Sequence, residues 1–299
     1  MPQCLGLTGE NPPVTAKQVK FEHHLTIKHP EQSDAVSLLA TLCSLSKQQV
    51  KQAMVKGAVW LTRGKTTTRL RRTKRALQLG DELHIYYNSS VLQQQVDDAV
   101  LISDQQQFSV WYKPYAMLCQ GSKWSDHTTI NRYAELNLSP QRTANIIHRL
   151  DRAATGLVVI GHAKQATAAI AKQFELRHTD KIYQVIVEGQ FPSQPITINS
   201  DVDGKSACSH ARVLAYDSNQ HRSLVEVKID TGRKHQIRIH MASSGYPVVG
   251  DRQHGDATGD DDNLQLTACF LAFNSPVTGE RLEFSLPQQY RPTLSALRS

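Results

Sequence analysis

One carboxylate in this chain stands between two arginines, in His148-Arg149-Leu150-Asp151-Arg152, which continues as Ala153-Ala154-Thr155-Gly156-Leu157. Flanking positive charge favours the ionised acid, which is the form a carboxylate nucleophile needs. On charge pattern alone, a surface Arg-Asp-Arg ion-pair cluster is the commoner origin of such a string. On a surface that meets a polyanion, however, an acid repels phosphate, so Asp151 there suggests a chemical task. The second stretch is Thr231-Gly232-Arg233-Lys234-His235-Gln236-Ile237-Arg238-Ile239-His240, with Gly245-Tyr246-Pro247 and Gly250-Asp251 beyond it. A Thr-Gly turn ahead of a basic helix start is a place where backbone N–H groups hold phosphate or carboxylate. His235 and His240 fall on different sides of a helix, which argues against the i, i+4 zinc pair of metalloproteases and leaves them as hydrogen-bonding groups.

Behind these residues the chain must supply strands and helices. Val158-Val159-Ile160 is an apolar strand directly after the Asp151 string; Phe108, Val110 and Tyr112 alternate as another. Ala166, Ile170 and Phe174 share a helix face. Tyr183, Val185 and Val187 alternate as a strand, as do Val225, Val227 and Ile229. Strands and helices follow in no regular order, which predicts an α+β domain with a mixed, largely antiparallel sheet over 108–299, and no Rossmann-like array.

A smaller α+β module is expected over 21–87. Ser33 can cap a helix carrying Val36, Leu39 and Cys43, and Ser46 with Gln49 forms a capping box ahead of Val50, Met54 and Val55, with Gly57 to end that helix. Ala58 to Leu61 reads as a strand, as does the alternation of Leu83, Ile85 and Tyr87 after the Gly80-Asp81 turn. Between them lie Arg63, Lys65, Arg69, Arg71, Arg72, Lys74 and Arg75, a run that is either a solvated loop or a phosphate-binding one. Residues 1–20 read as a flexible tail and 88–107, with its Ser and Gln tracts, as a linker.

Composition narrows the partners. The chain has 299 residues, 39% hydrophobic and 20% charged, an ordinary globular balance long enough for two domains. Its 34 Lys and Arg against 27 Asp and Glu leave a net charge of +7, which favours a polyanionic partner. Five scattered cysteines, never as Cys-x-x-Cys, argue against a disulfide framework or a zinc ribbon and for a reducing compartment. The N-terminal stretch lacks the basic start and apolar run of a signal peptide, and no segment reaches the roughly 20 apolar residues of a membrane helix. A cytoplasmic protein is expected.

Three motifs, in order and spacing, resemble the RluA family of RNA pseudouridine synthases: His148-Arg149-Leu150-Asp151 with Thr155-Gly156-Leu157; Lys181-Ile182-Tyr183 with Glu188-Gly189; and Gly232 to His240 with Gly250-Asp251. Lys113-Pro114 fits the family's Lys-Pro element, and the module before it resembles an alpha-L RNA-binding domain. The resemblance implies that Asp151 is the catalytic aspartate, that Tyr183 packs on the flipped base, and that Arg238 pairs with the carboxylate. It implies further that Arg149 enters the space the flipped base leaves. His148, Thr155, Gly156, His235 and Gln236 would contact substrate, and the seven basic residues from Arg63 to Arg75 would contact RNA. By themselves, Tyr183 reads as core packing and Arg238 as a helix-surface arginine. The family needs neither metal nor organic cofactor. A monomer acting on ribosomal RNA is expected, with tRNA as the alternative substrate and a non-catalytic RNA-binding protein as the alternative function. An unrelated hydrolase or phosphotransferase finds no Walker loop, His-Glu-x-x-His or Gly-x-Ser-x-Gly to support it.

Overall fold

A computed structural model describes residues 18–31, 34–257 and 262–294. It divides into two compact units, one from Met1–Gln94 with Lys123–Ser125, the other from Gln95–Ser122 with Asp126–Ser299.

In the first unit, β1 (Lys20–Thr26) precedes two short helices, α1 (Ala35–Cys43) and α2 (Lys47–Val55), followed by β2 (Val59–Arg63), β3 (Thr66–Arg69), β4 (Glu82–Asn88) and α3 (Ser89–Gln93). The strands form a sheet in the order β1-β4-β2-β3. Burial of Leu83, Ile85 and Tyr87 on alternate positions of β4 packs that sheet against Val36, Leu39, Val50 and Met54 of the helices. Asp34 caps α1 by accepting the Ser37 N–H at 2.9 Å; the expected cap, Ser33, lies outside the described residues, as does most of the expected tail. The capping box of α2 is present, with Ser46 Oγ accepting from Gln49 N and Gln49 Oε1 from Ser46 N. Val55, by contrast, is 61% exposed, because it follows buried Met54 directly and so falls on a different side of the helix from Val50 and Met54.

The second unit contains β5 (Val100–Asp104), β6 (Phe108–Lys113), α4 (Ile130–Asn137), β7 (Asn145–Ile146), β8 (Thr155–Gly161), α5 (Lys164–Glu175), β9 (Asp180–Glu188), β10 (Ile196–Asn199), β11 (Cys208–Asp217), β12 (Arg222–Ile229), α6 (Gln236–Ser243), β13 (Leu266–Asn274) and β14 (Arg281–Ser285). Among the described residues they make one ten-stranded sheet whose main path runs β10-β11-β12-β9-β13-β8-β6-β5, with β14 on β13 and β7 on β8. The pairings are antiparallel except β8 with β13, so the unit has the mixed, largely antiparallel α+β architecture expected. The central strands β6, β8 and β13 are buried on both faces, hence their unbroken apolar runs.

The stretch 88–107 is not the linker its polar composition suggested. It holds α3 and the edge strand β5, which pairs with β6 from Val100↔Tyr112 to Asp104↔Ser109, and the units divide at Gln94. The Gln tracts lie outside β5, whose own residues Val100-Leu101-Ile102-Ser103-Asp104 are mostly apolar. No helix among the described residues is long and apolar enough to cross a membrane.

Candidate active site

Between β7 and β8 residues 147–154 form a loop that carries Asp151 on one wall of a cleft of about 950 Å³. Cys119, Gln120, Arg149, Tyr183 and Arg233 line the same cleft. Three anchors hold the loop. His148 Nε2 accepts the Val159 N–H at 3.1 Å while its ring stacks on Phe174, centroids 4.4 Å apart. Cys119 Sγ accepts the Leu150 N–H at 3.3 Å, and burial pushes that thiol's pKa up. Lys113, fully buried, donates to the carbonyls of Pro114 (3.0 Å), Met117 (2.8 Å) and Arg152 (3.3 Å). Burial lowers the Lys113 pKa to about 8, against the opposing pull of Cys119 and Asp151.

Asp151 is 27% exposed at its side chain, and the side-chain nitrogens within ion-pair distance of its carboxylate belong to α6 and the turn before it, not to its sequence neighbours. Arg238 Nη1 lies 3.3 Å and His235 Nε2 3.7 Å from Asp151 Oδ2. Arg149 turns instead toward Gln120 Oε1 (3.5 Å) and Arg152 toward the Ala116 carbonyl (3.4 Å). The flanking arginines that the sequence pattern offered as electrostatic partners of Asp151 therefore point away from it, and Arg238 takes that place.

Arg238 is itself clamped. Asp251, 1% exposed, takes its Nε (2.8 Å) and Nη2 (2.7 Å) in a bidentate pair, and Asp251 Oδ1 also accepts the N–H groups of Gln253 and His254. Such a fork fixes the guanidinium plane, so the remaining Nη1 is aimed at Asp151. The Asp251 position depends on Gly250, whose φ is +76° and where a Cβ would lie 2.4 Å from the carbonyl oxygens of Asp262 and Asn263. Arg238 is thus a buried residue, 6% exposed, rather than the helix-surface arginine its isolated pattern allowed.

Tyr183 sits on β9 between Val227 and Ala268 of the neighbouring strands and reaches the cleft. Burial, reinforced by the negative charge of Asp151, raises its phenol pKa well above the ordinary value, so the hydroxyl stays protonated. Desolvation lowers the His235 pKa, opposed by Asp151 and assisted by Arg238 and His254; His235 Nδ1 is 2.9 Å from His254 Nε2.

Four of the expected substrate contacts are engaged inside the protein. Gln236, 3% exposed, accepts from Thr231 Oγ1 (2.6 Å) and Arg233 N (3.1 Å) and donates to the Cys208 carbonyl (2.9 Å) and Ser209 Oγ (3.0 Å), bracing the turn before α6. Thr155 Oγ1 is 2.8 Å from Thr267 Oγ1, and Gly156, at φ +111°, lies so close to β13 that a Cβ would fall 2.3 Å from the Ala268 carbonyl. Those two residues make the parallel joint of the sheet. His148 is spent on β8, as described.

In the first unit, three of the seven basic residues also hold structure. Arg63 forms a two-bonded pair with buried Asp81 (2.9 and 2.7 Å), Arg69 lies over the Trp60 ring at 4.2 Å and donates to the Gly57 carbonyl, and Arg71 donates to the Val55 carbonyl at 2.8 Å. Lys65, Arg72, Lys74 and Arg75 are exposed.

The profile of the RNA pseudouridylate synthase family matches residues 107–243, the stretch that holds Asp151, Tyr183 and Arg238. The chain is 30% identical over 234 residues, 68% of both proteins, to the ribosomal large subunit pseudouridine synthase D of Xanthomonas campestris pv. campestris. It is 35% identical over 175 residues to an uncharacterized RNA pseudouridine synthase of Chloroflexus aurantiacus, covering 52% of this chain and 54% of that one. A synthase D of Pseudomonas aeruginosa is 33% identical over 186 residues, 52% of this chain and 57% of its own length. The matches thus span little more than half the length of these last two relatives. In fold, human RNA pseudouridylate synthase domain containing 1 is similar with a TM-score of 0.56 at 21% identity, over 67% of this chain and 87% of that one.

Proposed function

The chain belongs to the RluA family of RNA pseudouridine synthases, and from that premise we propose that it isomerises uridine to pseudouridine in structured RNA with Asp151 as nucleophile. The observation that carries the proposal is the Asp251–Arg238–Asp151 chain, in which a buried bidentate pair spends two guanidinium nitrogens to aim a third at a cleft carboxylate. A protein that only bound RNA would gain nothing from that arrangement, since a carboxylate among phosphates weakens binding.

In the reaction the N1–C1′ glycosidic bond breaks, the base turns, and a C5–C1′ bond forms; the proton leaves C5 and N1 ends protonated. Asp151 attacks the nucleoside, and the bond so formed breaks again as the C5–C1′ linkage is completed, returning the carboxylate; Arg238 holds that carboxylate charged and oriented before the attack and after the release. Tyr183 offers a π-face and a protonated hydroxyl to the displaced base, which suits stacking and hydrogen-bond donation more than proton abstraction. The target nucleotide must leave the helix for its atoms to be reached, and the exposed Arg149 at the rim of the cleft is suited to fill the gap. Lys65, Arg72, Lys74 and Arg75 supply phosphate contacts from the first unit.

Ribosomal RNA is the proposed substrate, supported by relatives whose names state the large ribosomal subunit. The test is to map carbodiimide-reactive pseudouridines in cells lacking the protein and after incubating their RNA with it. Loss and restoration at discrete ribosomal positions is expected. Restoration only in tRNA would move the substrate, and no change in any RNA would leave a binding protein.

A further inference from the structure

The outer face of β10–β11–β12 carries a second set of chemically capable side chains, none of them among the residues lining the cleft. Cys208 and His210 stand two apart on β11 and so project from one face, while Ser209 and Ala211 between and beyond them are buried. On the antiparallel partner β12, Ser209 pairs with Ile229 and His210 with Lys228, which brings Asp230 opposite Cys208, its N–H 3.3 Å from the Cys208 carbonyl. The three side chains converge. Cys208 Sγ is 3.4 Å from His210 Nε2, His210 Nε2 is 2.9 Å from Asp230 Oδ2, and all three donor atoms lie within 4.8 Å of one another.

We propose that Cys208, His210 and Asp230 form a binding site for a zinc-class divalent cation. Tetrahedral zinc with bonds of about 2.0–2.3 Å needs donors roughly 3.3–3.6 Å apart, so small side-chain movements from the observed positions suffice. One thiolate, one imidazole and one carboxylate make a borderline-soft set that suits zinc and disfavours calcium or magnesium. The other nitrogen of His210, Nδ1, lies 3.1 Å from Thr197 Oγ1 on β10, the kind of outer partner that orients a metal-bound imidazole. Lys228, the cation nearest in register, directs its ammonium to Asp180 at 3.0 Å. A plain surface His–Asp pair would account for two of these groups but not for the thiol beside them.

The site adjoins the active-site turn. Cys208 N–H donates to Thr231 Oγ1 (3.2 Å) and its carbonyl accepts from Gln236, so a cation here braces the loop that carries Arg233 and His235.

The full reduced chain, stripped by chelation, is titrated with cobalt(II) and then with zinc(II). One equivalent of cobalt should produce a thiolate-to-cobalt charge-transfer band and tetrahedral visible bands, both removed by zinc. Cys208→Ser should abolish the charge-transfer band, His210→Ala and Asp230→Asn should each weaken binding, and Thr197→Val should weaken it by about tenfold. Cys43→Ser, altering another partly buried free thiol, should change nothing. Absence of the band at one equivalent, its survival in Cys208→Ser, or its loss in Cys43→Ser would overturn the proposal.

Discussion

Acid should loosen the loop that carries Asp151 through His148. Its ring is desolvated, with Lys181 nearby opposing a further positive charge, and its pKa falls from 6.5 to about 3. Protonation would take away the lone pair that accepts the Val159 N–H and set two donors face to face at 3.1 Å. The folded state therefore binds a proton less readily than the unfolded state, and stability declines as pH falls from about 6.5 toward 3. At about pH 5 almost every unfolded chain carries the proton and almost no folded chain does, so this one residue removes about 2 kcal/mol relative to pH 7. His148→Gln keeps an acceptor near the same place and does not titrate. Urea unfolding of both proteins at the two pH values separates His148 from every other titrating group, because the others cancel in the difference. The wild-type chain should lose about 2 kcal/mol more than the variant. Equal losses would refute the neutral, acceptor role given to this ring.

Arg238→Met leaves Asp151 and Asp251 without their shared cation, so single-turnover activity should fall steeply and recover in part at higher pH, as the carboxylates with raised pKa values ionise. Arg149→Ala should show no such recovery, and its defect should shrink on a mismatched target that is easier to open; identical behaviour of the two variants on both axes would remove the distinction. Gly156→Ala, which puts a Cβ 2.3 Å from the Ala268 carbonyl, should cost more than about 4 kcal/mol or prevent folding, whereas Gly64→Ala, with nothing within 4 Å, should cost only about 1 kcal/mol for its positive φ; urea midpoints decide. Replacing Lys65, Arg72, Lys74 and Arg75 by alanine should flatten the log–log salt dependence of RNA binding by about one unit per lost phosphate contact, while Arg63→Ala should lower the unfolding midpoint by stranding Asp81.

Legibility followed the range of the interactions. The capping box at Ser46 and the alternation along β4, β9 and β12 are local patterns, and each appears where the residues suggested. In 88–107 the composition averages over the Ser and Gln tracts and hides the short apolar strand Val100–Asp104 between them, which only its pairing with β6 reveals. Asp151 stood out by its two arginine neighbours, but its cationic partner comes from a residue far along the chain, and Asp251 completes the pair from further still. Gly250-Asp251 was visible as a motif without a reason; the close approach of the Asp262 and Asn263 carbonyls supplies one. Lys113 was likewise visible in a Lys-Pro element, but only burial reveals that it ties down the carbonyl beside Asp151. Thr155, Gly156 and Gln236 belong to motifs that the resemblance ties to substrate, yet they also join β8 to β13 and brace the turn before α6, because motifs mix groups that react with groups that build the surrounding sheet and turns. The Cys208–His210–Asp230 cluster depends on strand register, which no spacing rule for zinc encodes.

Single-turnover pseudouridine formation by Asp151→Asn, measured alongside its RNA affinity, tests the nucleophilic role of Asp151 most directly. Asparagine keeps the size of the side chain and removes the charge that Arg238 holds at 3.3 Å. Product formation should disappear while the dissociation constant for RNA stays within a few-fold of wild type, because cationic contacts to phosphate survive the change. Turnover at the wild-type rate, or loss of RNA binding in step with loss of activity, would contradict that role.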